Sequence, residues 1–225
     1  MSAPRKITPS LPLDDDESEV FFTRAALKAD PDAKDLLPLT DGWLGMVDEA
    51  RKRDRQAREA QSDADAARTV ANARLDRACE RFGDELFLAV DKERTSARWV
   101  QFFNVPVSKF VRQALNKQVE RVQGWLQSKD PVLEAHRKNL ETWASACGAA
   151  LQQTAGVATV RGEARIAREQ LAEDMTRERD GLHDALTARA RERNLPRDWA
   201  DQFFRKVSRA DGAAEAAAPE APAET

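Results

Sequence analysis

Residues 60–86 read AQSDADAARTVANARLDRACERFGDEL. Apolar side chains recur in this stretch at Ala60, Ala64, Ala67, Ala71, Leu75, Ala78, Phe82 and Leu86. Steps of three and four return to one side of a 3.6-residue turn, so the stretch reads as an amphipathic helix with a narrow apolar seam. The 4-3-4 step gives an 11-residue repeat of about 3.67 residues per turn, which favours straight or slightly right-handed packing over a left-handed coiled coil. Alanine at most seam positions lets two helix axes approach closely.

The helical pattern extends outward from this stretch. No proline occurs from Asp41 to Arg94, and Gly83 is the one interior weak point of a long helix predicted over those residues. A second long helix is predicted from Pro131 to about Arg193. It opens on Asp130-Pro131, a cap followed by proline in the first turn, and closes on Asn194 and Pro196. Gly148, Gly156 and Gly162 weaken its first half. Between the two, Asn104 and Pro106 predict a helix running to about Ser128, and a last helix is expected from Pro196 to about Arg209, carrying Trp199, Phe203 and Phe204. Residues 18–29 read as a short amphipathic helix. Residues 1–17, with Pro4, Pro9, Pro12 and the acidic run Asp14–Glu17, and the Ala/Pro/Glu segment 210–225 are expected to be disordered tails.

Composition supports the same class. Of 225 residues, 39 are alanine and none is tyrosine, and isoleucine occurs only at Ile7 and Ile166, so little is present from which to build a sheet. The 36 basic and 39 acidic residues are interleaved and nearly cancel, at a net charge of −3. That balance speaks against a dedicated nucleic-acid binder, whose domain would be strongly basic. Cys79 and Cys147 are too far apart in sequence for a ligand pair and read as two buried free thiols. The uncharged run Thr142–Val160 holds two glutamines and three threonines, which is too polar for a membrane span. No secretion signal is legible at the start of the chain, and a cytoplasmic location is expected.

The two halves align at an offset of 100 residues. Trp43 pairs with Trp143, Trp99 with Trp199, Phe103 with Phe203, and the seam through Ala64, Ala67, Ala71, Leu75, Phe82 and Leu86 keeps phase with Ala164, Ala167, Leu171, Met175, Leu182 and Leu186. Glu178 alone breaks the second seam. The expected architecture is all-α: an elongated antiparallel bundle of long alanine-rich helices over 41–209, with an internal duplication into 41–128 and 131–209.

Signatures of chemistry are sparse. A di-metal carboxylate site in a bundle needs two Glu-x-x-His motifs. The chain has two histidines, and only the half-motif Asp180/His183. No G-x-S-x-G, G-x-G-x-x-G or Walker loop occurs. The expectation is therefore a protein with no catalytic residues, no metal and no cofactor. Three segments have alternative readings. Phe21, Phe22 and Leu27 on the short first helix could fill a partner's groove or fold back onto their own bundle. The run Arg51, Lys52, Arg53, Arg55 and Arg58 could meet the phosphates of anionic lipid or nucleic acid, or pair with Asp48, Glu49, Glu59 and Asp63 on a solvated face. The segment Arg98–Arg121 interleaves Trp99, Phe102, Phe103 and Phe110 with cations. That suits a membrane surface, but recurrence of the pattern at Trp199 favours core packing. The expected function is a non-catalytic scaffold or adaptor that binds another protein or itself. The alternative is a peripheral binder of anionic lipid or nucleic acid through residues 51–58.

Overall fold

The computed structural model describes residues 7–205. Among them are six α-helices, two 3₁₀ helices and no strand. In chain order they are α1 (Leu13–Ala29), a 3₁₀ helix (Lys34–Thr40), α2 (Trp43–Ala89), α3 (Ala97–Phe102), α4 (Val107–Phe110), α5 (Leu115–Trp125), α6 (Pro131–Glu192) and a final 3₁₀ helix (Ala200–Phe203).

The ends of α6 follow its sequence signals. Asp130 accepts the backbone N–H of Val132 at 2.8 Å, and Pro131 fills the first helical position, where no N–H partner is needed. At the other end Asn194 adopts φ 53°, and the N–H of Leu195 reaches back to the Ala190 carbonyl at 2.8 Å, a left-handed helix stop. α2 ends at Ala89, earlier than the expected Arg94, because Asp91 and Lys92 both take positive φ. The chain starts to be helical before Ser18. The acidic run Asp14–Glu17, expected in a tail, lies within the first turns of α1, where carboxylates oppose the positive end of the helix dipole. Ile7 is buried, and the Arg168 guanidinium holds the carbonyls of Pro9 and Leu11. The expected segment 210–225 lies outside the described residues.

The expected single helix over 106–128 is two helices. It breaks between Phe110 and Leu115, and the buried Gln118 amide donates to the carbonyls of Val111 at 3.2 Å and Gln113 at 2.9 Å, taking acceptors that a continuous helix would have used. Of the helix expected from Pro196 to about Arg209, the described residues, up to 205, form only the short 3₁₀ turn at Ala200–Phe203, although Trp199, Phe203 and Phe204 are buried as the aromatic pattern implied.

The chain divides into two compact units. The first is formed from residues up to 55 and from 163 onward. Within it the contacts Leu11–Arg168, Glu19–Arg179 and Asp35–Arg189 advance together, so α1 runs parallel to α6. Asp14–Arg51 and Arg24–Asp41 advance in opposite directions, so α1 runs antiparallel to the start of α2. Its core joins Val20 and Leu27 of α1, Trp43 and Val47 of α2, Met175, Leu182 and Leu186 of α6, and the aromatic segment at Trp199–Phe204.

The second unit is residues 56–162. Here α2 and α6 run antiparallel: Glu85 meets His136 at 2.9 Å, and Arg74 lies over the Trp143 ring at 5.7 Å. Beside the seam of α2, aromatic rings of α2, α3, α4 and α5 pack into a cluster. Phe103 stands 4.8 Å from Trp125 and 5.7 Å from Phe110, and Phe82 stands 5.1 Å from Phe102 in an edge-to-face contact. Of the seam predicted from sequence, Ala64, Ala71, Leu75, Ala78, Phe82 and Leu86 are buried, as are Ala164, Leu171, Met175, Leu182 and Leu186. Glu178 turns out to solvent, and Arg179 takes the buried place beside it.

Candidate interaction surfaces

The histidines do not converge on shared ligands. His183 Nε2 lies 3.1 Å from Asp201 and His136 Nε2 lies 2.9 Å from Glu85. Among the described residues no group of three or more His, Cys, Asp or Glu side chains is placed to hold a metal ion. Cys79 and Cys147 are buried and free. Burial pushes the Cys79 thiol well above its ordinary range and the Cys147 thiol up to about 11, so both stay protonated and weakly nucleophilic at neutral pH.

The basic run is largely engaged. Arg51 bridges Asp14 and Glu17 of α1, each at 2.9 Å, and also reaches Asp48 at 3.5 Å. Arg53 meets Glu49 at 3.0 Å, and Lys52 lies 4.0 Å from the same carboxylate. Arg55 and Arg58 are exposed. Arg51 thus acts as a structural clamp between α2 and α1. The segment Arg98–Arg121 buries Trp99, Phe102, Phe103 and Phe110 in the core of the second unit, and its rings are not available to a membrane surface. Among the described residues no helix is long and apolar enough to cross a membrane.

The first helix separates its three singled-out residues. Leu27 is fully buried in the first unit, whereas Phe21 is 53% and Phe22 41% exposed. α1 therefore lies on its own bundle by the face of Val20, Thr23 and Leu27, and turns both phenylalanines outward. Leu39, Val70, Leu88, Val100 and Ile166 are comparably exposed, each apart from the others in sequence, whereas Phe21 and Phe22 are an adjacent aromatic pair.

Two features of the first unit were not legible in sequence. Glu19, 2% exposed, lies 3.6 Å from Arg179, and the Arg179 guanidinium sits 5.2 Å over the Phe204 ring. Nothing in the spacing of Glu19 or Arg179 distinguishes them from the many surface charges around them. Further along α6, Arg189 holds Asp35 by two hydrogen bonds of 2.7 and 2.9 Å, which pull the Asp35 carboxyl below its ordinary value. The second unit carries a cleft of about 740 Å³ between α3 and α5, rimmed by Gln101, Asn104, Lys117 and Arg121. The aromatic rings beneath it, Phe102, Phe110 and Trp125, are almost wholly covered and offer it little apolar surface.

Among the described residues the fold defines an all-α helical-bundle protein. Comparison with family models, with curated proteins and with solved structures finds no match to this chain.

Proposed function

We propose that this protein is a non-catalytic helical scaffold that acts by binding another protein or a second copy of itself. The observation that carries this reading is the outward pair Phe21 and Phe22, set against an internal comparison. Helix α5 of the second unit repeats the inward face of α1 at an offset of 99 residues. Val20, Thr23 and Leu27, all buried, answer to Val119 and Val122, both buried, and to the half-buried Leu126 at the end of α5. At the two exposed positions α5 carries Glu120 and Arg121 where α1 carries Phe21 and Phe22. A helix in this environment thus has no need of aromatic residues on its outer face, and a partner supplies the reason for them.

Further pairs, at an offset of 100, support an internal duplication as the origin of the bundle, with bounds other than the expected 41–128 and 131–209: α1 and the first 3₁₀ helix fall in the first copy and α5 in the second. Asp30-Pro31 and Asp130-Pro131 make the same turn, each aspartate accepting the N–H two residues on at 2.8 Å. Ala50 and Ala150, Leu75 and Met175, Leu86 and Leu186, and Phe103 and Phe203 are buried in pairs. In the first copy Pro38 interrupts what is a continuous helix in the second, leaving a 3₁₀ helix ahead of α2.

The test is site-specific photocrosslinking in cells. A benzoylphenylalanine at position 21 is expected to form a covalent adduct with a protein, and the same group at position 120 is not. Equal or absent adducts at the two positions would remove the scaffold reading.

A further inference from the structure

We infer that the outward face of α1 is a self-complementary interface, and that its occupant is the α1 of a second copy of this chain, docked antiparallel about Phe21. The inference rests on the scaffold reading and deepens it by naming the partner. At 100° per residue, Asp14, Phe21 and Lys28 fall on one line along the exposed face, with Ser18 and Ala25 beside them, all within about 80° of arc. The steps 4-3-4-3 make this a heptad seam, separate from the one that α1 buries in its own unit. Phe21 stands at its midpoint, and it is the middle residue of the 17-residue helix.

The chemistry of the face has the symmetry a two-fold contact requires, in which each residue i that meets j is matched by j meeting i. Seven residues before Phe21 is an acid, Asp14, and seven residues after it is a base, Lys28. An antiparallel partner centred on Phe21 brings Asp14 of each chain to Lys28 of the other. A parallel partner would set like charges against like. The Asp14 side chain is 90% exposed while it bonds Arg51, so it remains open to a second cation. Ser18 and Ala25 are small, and leave holes on either side of Phe21 into which the partner's rings can fit. Phe22 and Ala29 extend the apolar strip along one flank, both exposed. A single pair of short helices buries less than a standard protein interface, so the dimer is weak and its population depends on concentration.

The experiment measures the mass of the full purified chain by light scattering or sedimentation equilibrium across a hundredfold range of concentration. The wild type is expected to pass from monomer to dimer. Phe21→Glu, which changes an exposed position and so should leave the helical spectrum and melting temperature as they are, is expected to weaken the dimer ~10-fold or more. Lys28→Asp sets two carboxylates against each other at both ends of the contact and is also expected to weaken it. Asp14→Lys combined with Lys28→Asp exchanges the charges, and is expected to recover the dimer that Lys28→Asp alone loses. A wild type that stays monomeric, a Phe21→Glu variant that dimerises as well as the wild type, or a double variant that keeps the wild-type helical spectrum and melting temperature despite the loss of the Asp14–Arg51 pair and yet dimerises no better than Lys28→Asp would each overturn the proposal. A monomeric wild type whose position 21 still crosslinks to a different protein in cells would overturn self-pairing and leave the scaffold reading standing. A monomeric wild type with no adduct would remove both.

Discussion

Asp130 shows how one side chain can fix a corner of this fold. Its carboxylate accepts the N–H groups of Val132 and Leu133 at the start of α6, and meets Arg98 in a two-point ion pair at 2.6 and 2.8 Å. Asp30 has the matching place in the first unit, where it accepts the N–H of Asp32 and the indole N–H of Trp199 at 3.0 Å. In each case an Asp-Pro corner is tied to the neighbourhood of an aromatic segment. Asp130→Ala removes a helix cap and leaves a guanidinium without its partner, and should lower stability by about 2 kcal/mol in urea unfolding at neutral pH. The pH dependence has a definite sign. The Arg98 hydrogen bond, followed by the two backbone N–H groups, holds the Asp130 carboxyl below its ordinary value of 3.8. A lowered folded-state value contributes stability above the unfolded value and loses it as pH falls through the folded one. The gap between wild type and Asp130→Ala should therefore be full at neutral pH and shrink below about pH 4. The signal for the cap was legible as Asp followed by Pro. The choice of Arg98 as its partner, 32 residues earlier in the chain, was not.

At the scale of elements, two glycines of the long helices behave in opposite ways. Gly83 of α2 faces α4 closely: a Cβ built there would stand 2.6 Å from a methyl of Val107 and 3.4 Å from the Phe103 ring. Gly83→Ala should lower the melting temperature, because steric overlap in a well-packed core outweighs the gain in helix propensity. Gly148 of α6 has nothing within 4 Å of the corresponding point and lies within a continuous helix. Gly148→Ala should therefore stabilise the protein, by up to about 1 kcal/mol. Thermal unfolding of the two variants side by side tests the pair. Sequence flags both residues as helix-weakening in equal measure. Only the packing of α4 makes one of them necessary. The break between α4 and α5 has the same character: the apolar positions from Val107 to Leu126 suit one continuous helix, and the contacts of Phe110 with Phe103 and Trp125 help to draw it into two.

At the scale of the whole molecule, each long helix serves two cores. Trp43 and Val47, at the start of α2, lie in the first unit, while Leu75, Phe82 and Leu86, further along the same helix, lie in the second. α6 does the reverse, with Leu133 and Leu140 in the second unit and Met175, Leu182 and Leu186 in the first. Neither half of the chain contains a complete core. Fragments 1–104 and 105–225 should accordingly be largely unfolded when separate, and recover helical circular dichroism when mixed in equal amounts. Strong, cooperative helicity in either fragment alone would count against this division of the core.

The sequence by itself determined that the chain is helical, where α6 starts and stops, and most of the residues that form the apolar seams; Ala60, Ala67 and Ala167 are only half-buried. Those properties are local: a 3.6-residue period, an Asp-Pro start at Asp130 and an Asn194 stop act within a turn or two of backbone. The tertiary structure decided which half of each helix shares a core with which, that Glu19 and Arg179 would be buried against each other, and that α1 would bury Leu27 yet leave Phe21 and Phe22 outside. These outcomes depend on contacts between residues far apart in the chain. An alanine-rich seam has nearly the same shape at every turn, so its spacing carries little information about its partner.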